Sequence, residues 1–133
     1  MKQYDDEKDY PHSELTYKII GILYDVHNNL GSGYQEKYYC RAIAHAFKQS
    51  NISYKEQVKY DIKYNGHNIG RYFADFLVDN RLILELKINP KIYPRDINQI
   101  LGYLKESNLK VGIIASFNKQ KVLIKRVINK ISE

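Results

Sequence analysis

Apolar residues first recur at spacings of three and four. Leu15, Ile19, Leu23, Val26 and Leu30 make one stripe, with Ser13 as its N-cap and Gly31-Ser32-Gly33 as its stop, which predicts an amphipathic helix. Tyr39, Ile43, Ala46 and Phe47 make another, which predicts a second helix from about Tyr34 to Ser50. At Gln57 the period drops to two. Val58, Tyr60, Ile62 and Tyr64 alternate with Lys59, Asp61 and Lys63, so this stretch reads as a strand with one wet face, closed by a tight turn at Asn65-Gly66. A second strand follows over Ile69 to Val78 and, after a turn near Asp79-Asn80, a third over Arg81 to about Ile88. The three form a meander.

Asn89-Pro90 and Pro94 mark a loop, after which Ile97, Ile100, Leu101 and Leu104 predict a third helix ending near Ser107-Asn108. Lys110 to Phe117 is short, apolar and β-branched, as a buried central strand would be, while Lys121 to Ile128 suits either an edge strand or a short helix. This order predicts an α/β (α+β) chain: a central mixed β-sheet holding the meander and the later strand, flanked by helices.

Composition narrows the picture. A chain of 133 residues fits one domain, here 14–133, behind a polar, flexible N-terminal lead-in over 1–13. A formal charge of +6 suits a polyanionic partner such as nucleic acid. The same Lys, Asn, Ile and Tyr richness, with thirteen tyrosines, also follows from AT-rich codons, so charge alone does not decide the partner. Cys40 is the only cysteine, which excludes an internal disulfide and a multi-cysteine zinc site and suits a reducing cytosol; it reads as a buried small hydrophobe. No stretch has the apolar length of a secretory signal or a membrane span, so a cytoplasmic, membrane-free protein is expected.

The chemistry lies in RYFADFLVDNRLILELK, residues 71–87. An ionised carboxylate facing a strand-rich core costs several kcal/mol unless it is paired, hydrogen-bonded or bound to metal. In the third strand Leu82, Leu84 and Leu86 point one way and Ile83, Glu85 and Lys87 the other. Whether Asp75 joins Glu85 depends on the turn. A two-residue loop pairs residue 75 with 84 and sends Asp75 to the leucine side; a three-residue loop over Asp79 to Arg81 pairs 75 with 85. Asn80 tolerates the left-handed conformation that the longer loop needs. In that register the charges share one wet face of the hairpin, and the two carboxylates repel unless Lys87 or a cation lies between them. Mg²⁺ takes one or two carboxylates with waters and phosphate oxygens, and such an ion acidifies water and stabilises phosphoryl charge. The plainer alternative is a surface hairpin with an exposed Asp and a Glu/Lys pair of little energetic worth.

Other residues have plain readings as well. Glu36 in the first turn of the second helix suits the positive end of the helix dipole, and His27 suits the C-terminal end of the first. His12, His45 and His67 show no ligand spacing. Tyr34, Tyr38, Tyr72 and Tyr93 read as packing residues that are also of a type that stacks on bases.

Asp75 followed ten residues later by Glu85-Leu86-Lys87 resembles the D…(D/E)xK core of the PD-(D/E)xK nuclease superfamily. Gln99 and Tyr103 resemble the QxxxY motif of its RecB-like branch, and Gly33, Glu36 and Tyr39 fit the signature of the GxxExxY family. The resemblance spans about residues 14 to 128 with the motifs in family order; Ala74 stands where the superfamily's name has proline. It implies a restriction-endonuclease-like core and a divalent metal, Mg²⁺ or Mn²⁺, held by Asp75, Glu85, the Leu86 backbone carbonyl and Glu36. It also implies that Lys87 orients the attacking water and that Gln99 and Tyr103 support the site. The expected function is metal-dependent hydrolysis of phosphodiester bonds, with DNA as the nucleic-acid partner and with specificity supplied by a homodimer or another protein. The alternative is a non-catalytic nucleic-acid-binding or partner-recruiting module that keeps the fold.

Overall fold

The computed structural model describes residues 11–130. Its elements are α1 (Ser13–Leu30), α2 (Glu36–Gln49), β1 (Tyr54–Tyr64), β2 (His67–Val78), β3 (Leu82–Lys87), α3 (Pro94–Ser107), β4 (Val111–Phe117) and β5 (Val122–Ile128). Residues 1–10 of the expected lead-in lie outside the described residues, and Pro11 and His12 form a turn leading directly into α1. The expected cap at Ser13 shifts by one: His12 is the N-cap, held left-handed at φ 56°, and Ser13 is already helical. The His12 ring lies 3.3 Å from the Arg81 guanidinium, which anchors the turn.

The five strands form one sheet in the order β1-β2-β3-β4-β5. All neighbours are antiparallel except β3 and β4, which run parallel and are joined through α3, since parallel strands need a long crossover. The ambiguous final element is a strand. It pairs with β4 from Val111↔Ile128 to Phe117↔Val122, a contact that local periodicity does not reveal.

Helices cover both faces. On one, α1 and α2 lay Leu15, Ile19, Leu23, Tyr39, Ile43 and Phe47 against Phe76, Val78, Leu82, Leu84 and Leu86. Each such side chain, once fully buried, contributes about 1.5–3 kcal/mol. The stripe of α2 is completed by Ala44 rather than Ala46, which is only half-buried, because the helix leans on the sheet along its 39–43–47 ridge. On the other face α3 lays Ile100, Tyr103 and Leu104 against Ala74, Ile83, Ile114 and Val127. Gly112 on β4 permits this approach, since a Cβ there would lie 2.6 Å from Ile100 Cδ1.

The β1–β2 hairpin changes phase partway along. Phe76 and Val78 face α1 and α2, yet Ala74 packs on the α3 side; Tyr54 and Tyr60 divide in the same way on β1. Strict alternation would keep residues of equal parity on one face. The switch falls at Gln57 and Asp75, opposite each other between the pairs Glu56↔Phe76 and Val58↔Ala74. Gln57 there adopts φ 51°, a conformation costly for a side chain of its type.

Candidate metal centre

The turn between β2 and β3 decides what faces what. Asp79 and Asn80 both take left-handed φ values, 51° and 55°, and Arg81 N–H donates to Val78 O at 3.0 Å. An ion pair of 2.6 Å between Arg81 and Asp79 clasps the turn from outside. Pairing then runs Val78↔Leu82, Leu77↔Ile83 and Phe76↔Leu84, the three-residue register, so the next position puts Asp75 across from Glu85.

At that position the side chains bond to the facing strand's backbone. Asp75 N–H donates to Glu85 Oε1 at 2.7 Å, and Leu86 N–H donates to Asp75 Oδ2 at 2.8 Å. Each carboxylate thus satisfies an amide of the opposite strand. These residues do not sit on a wet face as expected: Asp75 is 9% exposed and Glu85 7%. The phase switch at Asp75 and the cover of α2 and α3 enclose them. Gln57 Nε2 reaches Asp75 Oδ1 at 3.5 Å from the strained position opposite.

The first turn of α2 approaches from the other side. Gly33 takes φ 97° where the chain leaves α1, and Tyr39 anchors α2 by donating its hydroxyl to Gly31 O at 2.6 Å and packing against Phe117 at 4.5 Å between ring centroids. Glu36, one turn before Tyr39, is thereby carried to Asp75. The ligand atoms of Glu36, Cys40 and Asp75 lie within 4.8 Å of one another. From α3, Gln99 Oε1 accepts a hydrogen bond from Lys87 Nζ at 3.4 Å, and Asp96 Oδ1 lies 3.9 Å from the same ammonium. Asp96 Oδ2 accepts the Tyr93 N–H at 2.9 Å, so the acid that helps hold Lys87 also fixes the start of α3. Tyr103 stands one turn beyond Gln99 and is 4% exposed.

Electrostatics follow from this crowding. Burial, followed by the neighbouring Asp75 charge, pushes Glu85 and Glu36 above the usual carboxylate range. Burial likewise raises Asp75, against the bond from Leu86 N–H and the Lys87 charge. Burial and the Glu85 charge raise the Tyr103 phenol, so it stays protonated. Burial and the surrounding carboxylates raise the Cys40 thiol too. Oxygen donors crowded beside the Lys87 ammonium suit a hard divalent cation, so the residues present fit a divalent metal.

Asp75, Glu85, Lys87, Glu36, Gln99 and Tyr103 are therefore gathered in one region, with Leu86 bonded to Asp75. His27 is apart from them and structural: it is buried, with Nε2 2.8 Å from Asn118 O. Sequence reasoning missed Gln57, Asp96 and the position of Cys40. Asp96 carried a signal, as an acid three residues after Tyr93 at a helix start. Gln57 carried none.

The model of the PD-(D/E)XK nuclease superfamily matches residues 13–127. No curated protein sequence matches the chain. Among solved structures, the crystal structure of SSO0001 is similar at TM-score 0.53 and 16% identity, over 97% of this chain and 61% of that one. This chain therefore spans about three-fifths of that protein. An alkaline exonuclease from Laribacter hongkongensis, LHK-Exo, is similar at TM-score 0.52 and 12% identity, over 90% of this chain and 71% of the other. Its complex with dAMP gives TM-score 0.51 and 14% identity, over 93% and 73%. With helices on both faces of a mixed five-stranded sheet and the family match spanning nearly its whole length, the chain belongs to the PD-(D/E)XK nuclease superfamily.

Proposed function

We propose that this chain is a Mg²⁺- or Mn²⁺-dependent nuclease that hydrolyses phosphodiester bonds of DNA. The observation that carries the reading is the buried cross-strand pair Asp75/Glu85, with Glu36 brought up from α2 and Lys87 held on the same face by Gln99 and Asp96. Asp75, Glu85, Glu36 and the Leu86 carbonyl would hold the metal. When bound, the metal supplies charge for the phosphoryl oxygens and acidifies water.

The chain's own residues do the rest. Lys87 orients the attacking water or the phosphate, and Gln99 aims its ammonium with an amide oxygen that adds no charge. Tyr103, a neutral phenol packed against Tyr60 and Tyr72, closes the α3 side. Gln57 fixes Asp75 from the edge strand. Within the superfamily, the roles of Gly33, Glu36 and Tyr39 in seating α2 support membership of the GxxExxY family, and Gln99 with Tyr103 supports the RecB-like branch. DNA is named because the exonuclease of like fold binds dAMP. A second copy or a partner protein would supply sequence specificity, and the lone cysteine suits the cytosol.

The test is cleavage of labelled DNA across a metal titration. Asp75→Ala, Glu85→Ala and Lys87→Ala each lose at least about a hundredfold in rate, and Lys87→Ala still melts cooperatively. Robust cleavage by all three variants overturns the reading. Salt-sensitive DNA binding with no cleavage under any divalent metal indicates a binding module instead.

A further inference from the structure

A cleft of about 430 Å³ opens between α3 and the far half of the β1–β2 hairpin, lined by Tyr60, Tyr72, Gln99, Gly102 and Tyr103, with Lys63 and Lys105 beside them. It exists because of the phase switch at Gln57/Asp75, which turns Tyr60 and Tyr72 toward α3. The Tyr103 ring forms a shared wall. It stacks on Tyr60 at 5.7 Å and 29° and meets Tyr72 edge-on at 5.1 Å and 79°. Tyr72 remains 39% exposed, leaving aromatic surface for an incoming partner.

Two features tie this cleft to a ligand rather than to packing. Gln99 lines it and also accepts a hydrogen bond from Lys87 at 3.4 Å, so the cleft adjoins the carboxylate cluster through α3. Gly102 sits inside α3, where glycine weakens a helix relative to alanine. A Cβ added there meets nothing within 4 Å. Among the described residues no neighbour demands a glycine there, and its effect is to keep the cleft open.

We infer that this cleft is a nucleobase subsite, which takes the base of a nucleotide beside the scissile phosphodiester by stacking on Tyr72, and that the substrate is consequently single-stranded DNA or an unpaired end. The inference rests on the nuclease reading above. A base reaches such a cleft only when unstacked and unpaired, whereas aromatic stacking accepts any base. The volume lies within the range of small-molecule sites. Lys105 suits a flanking phosphate, while Lys63 on the same rim is paired with Glu106 at 3.9 Å and Asp61 lies beside it.

The experiment measures binding by fluorescence polarisation, with Ca²⁺ replacing Mg²⁺, of a short oligo-deoxythymidine strand and of a blunt duplex of equal length. Wild type binds the single strand more tightly. Tyr72→Ala and Gly102→Leu each weaken single-strand binding about tenfold without weakening duplex binding, and Tyr72→Phe restores it. Gly102→Leu melts no lower than wild type, which separates loss of the subsite from loss of fold. Unchanged single-strand binding in Tyr72→Ala, or equal wild-type affinity for the two substrates, overturns the subsite. Metal-dependent cleavage abolished by Glu85→Ala but insensitive to Tyr72→Ala would remove the subsite and leave the nuclease reading standing. Tyr72-dependent single-strand binding without any cleavage would do the reverse.

Discussion

Replacing Glu85 by Gln is expected to stabilise the metal-free protein at pH 8. The carboxyl is pushed up from an ordinary 4.5 to about 8 by burial and by Asp75 opposite. Between those values the folded state holds a proton that the unfolded chain has released. The favourable contribution is complete below pH 4.5 and is lost as pH rises through the folded value. Each pH unit of that window is worth about 1.4 kcal/mol, which gives on the order of 5 kcal/mol as an upper bound. For a chain of this size that is about 15 °C in Tm. Glutamine removes the charge while its amide oxygen still accepts the Asp75 N–H. Thermal melts in EDTA from pH 5 to 8 should therefore slope downward for wild type and run much flatter for Glu85→Gln, with the variant higher at pH 8. Adding Mg²⁺ narrows the gap, because a ligand of the native state raises Tm and only wild type keeps the full donor set. A wild-type Tm independent of pH in EDTA, or a variant less stable than wild type at pH 8, would refute the reasoning.

Two other outcomes follow from backbone and packing. Gln57→Gly should raise stability by up to about 1 kcal/mol in urea titration, since glycine accepts φ 51° without penalty, while lowering cleavage through loss of the contact to Asp75. Destabilisation by more than that amount would show that the side chain matters chiefly for packing. Gly112→Ala should cost about 1–3 kcal/mol, because Ile100 must move. It should also slow cleavage, since Ile100 shares α3 with Gln99 and Tyr103; an intact Tm would contradict the contact.

Much of this was legible in the sequence. The register came from counting: only a three-residue turn sets 75 against 85, and Asn80 allows that turn. Periodicity gave both faces of β3 and the stripes of all three helices because those signals are local. What failed depended on distant partners. The identity of β5 rests on pairing with β4, and the helix start at His12 rests on Arg81. Alternation put the carboxylates on a wet face, but the hairpin switches phase at Asp75 and the helices cover the site. Cys40 read as a plain core residue because nothing in its neighbours along the chain announces Glu36 and Asp75 beside its sulfur.

The turn at Asp79–Arg81 has a consequence for how this chain can change. Exposed turns ordinarily accept inserted or deleted residues with little effect. Here one residue more or less would rotate β3 by half its side-chain period, driving Glu85 and Lys87 into the leucine layer under α1 and α2 and turning Leu84 and Leu86 toward α3. Positions 79 and 80 favour residues that accept left-handed φ, and the turn's length is fixed by the chemistry beyond it. Descendants of this chain can respell the loop within those residue types, but not recount it.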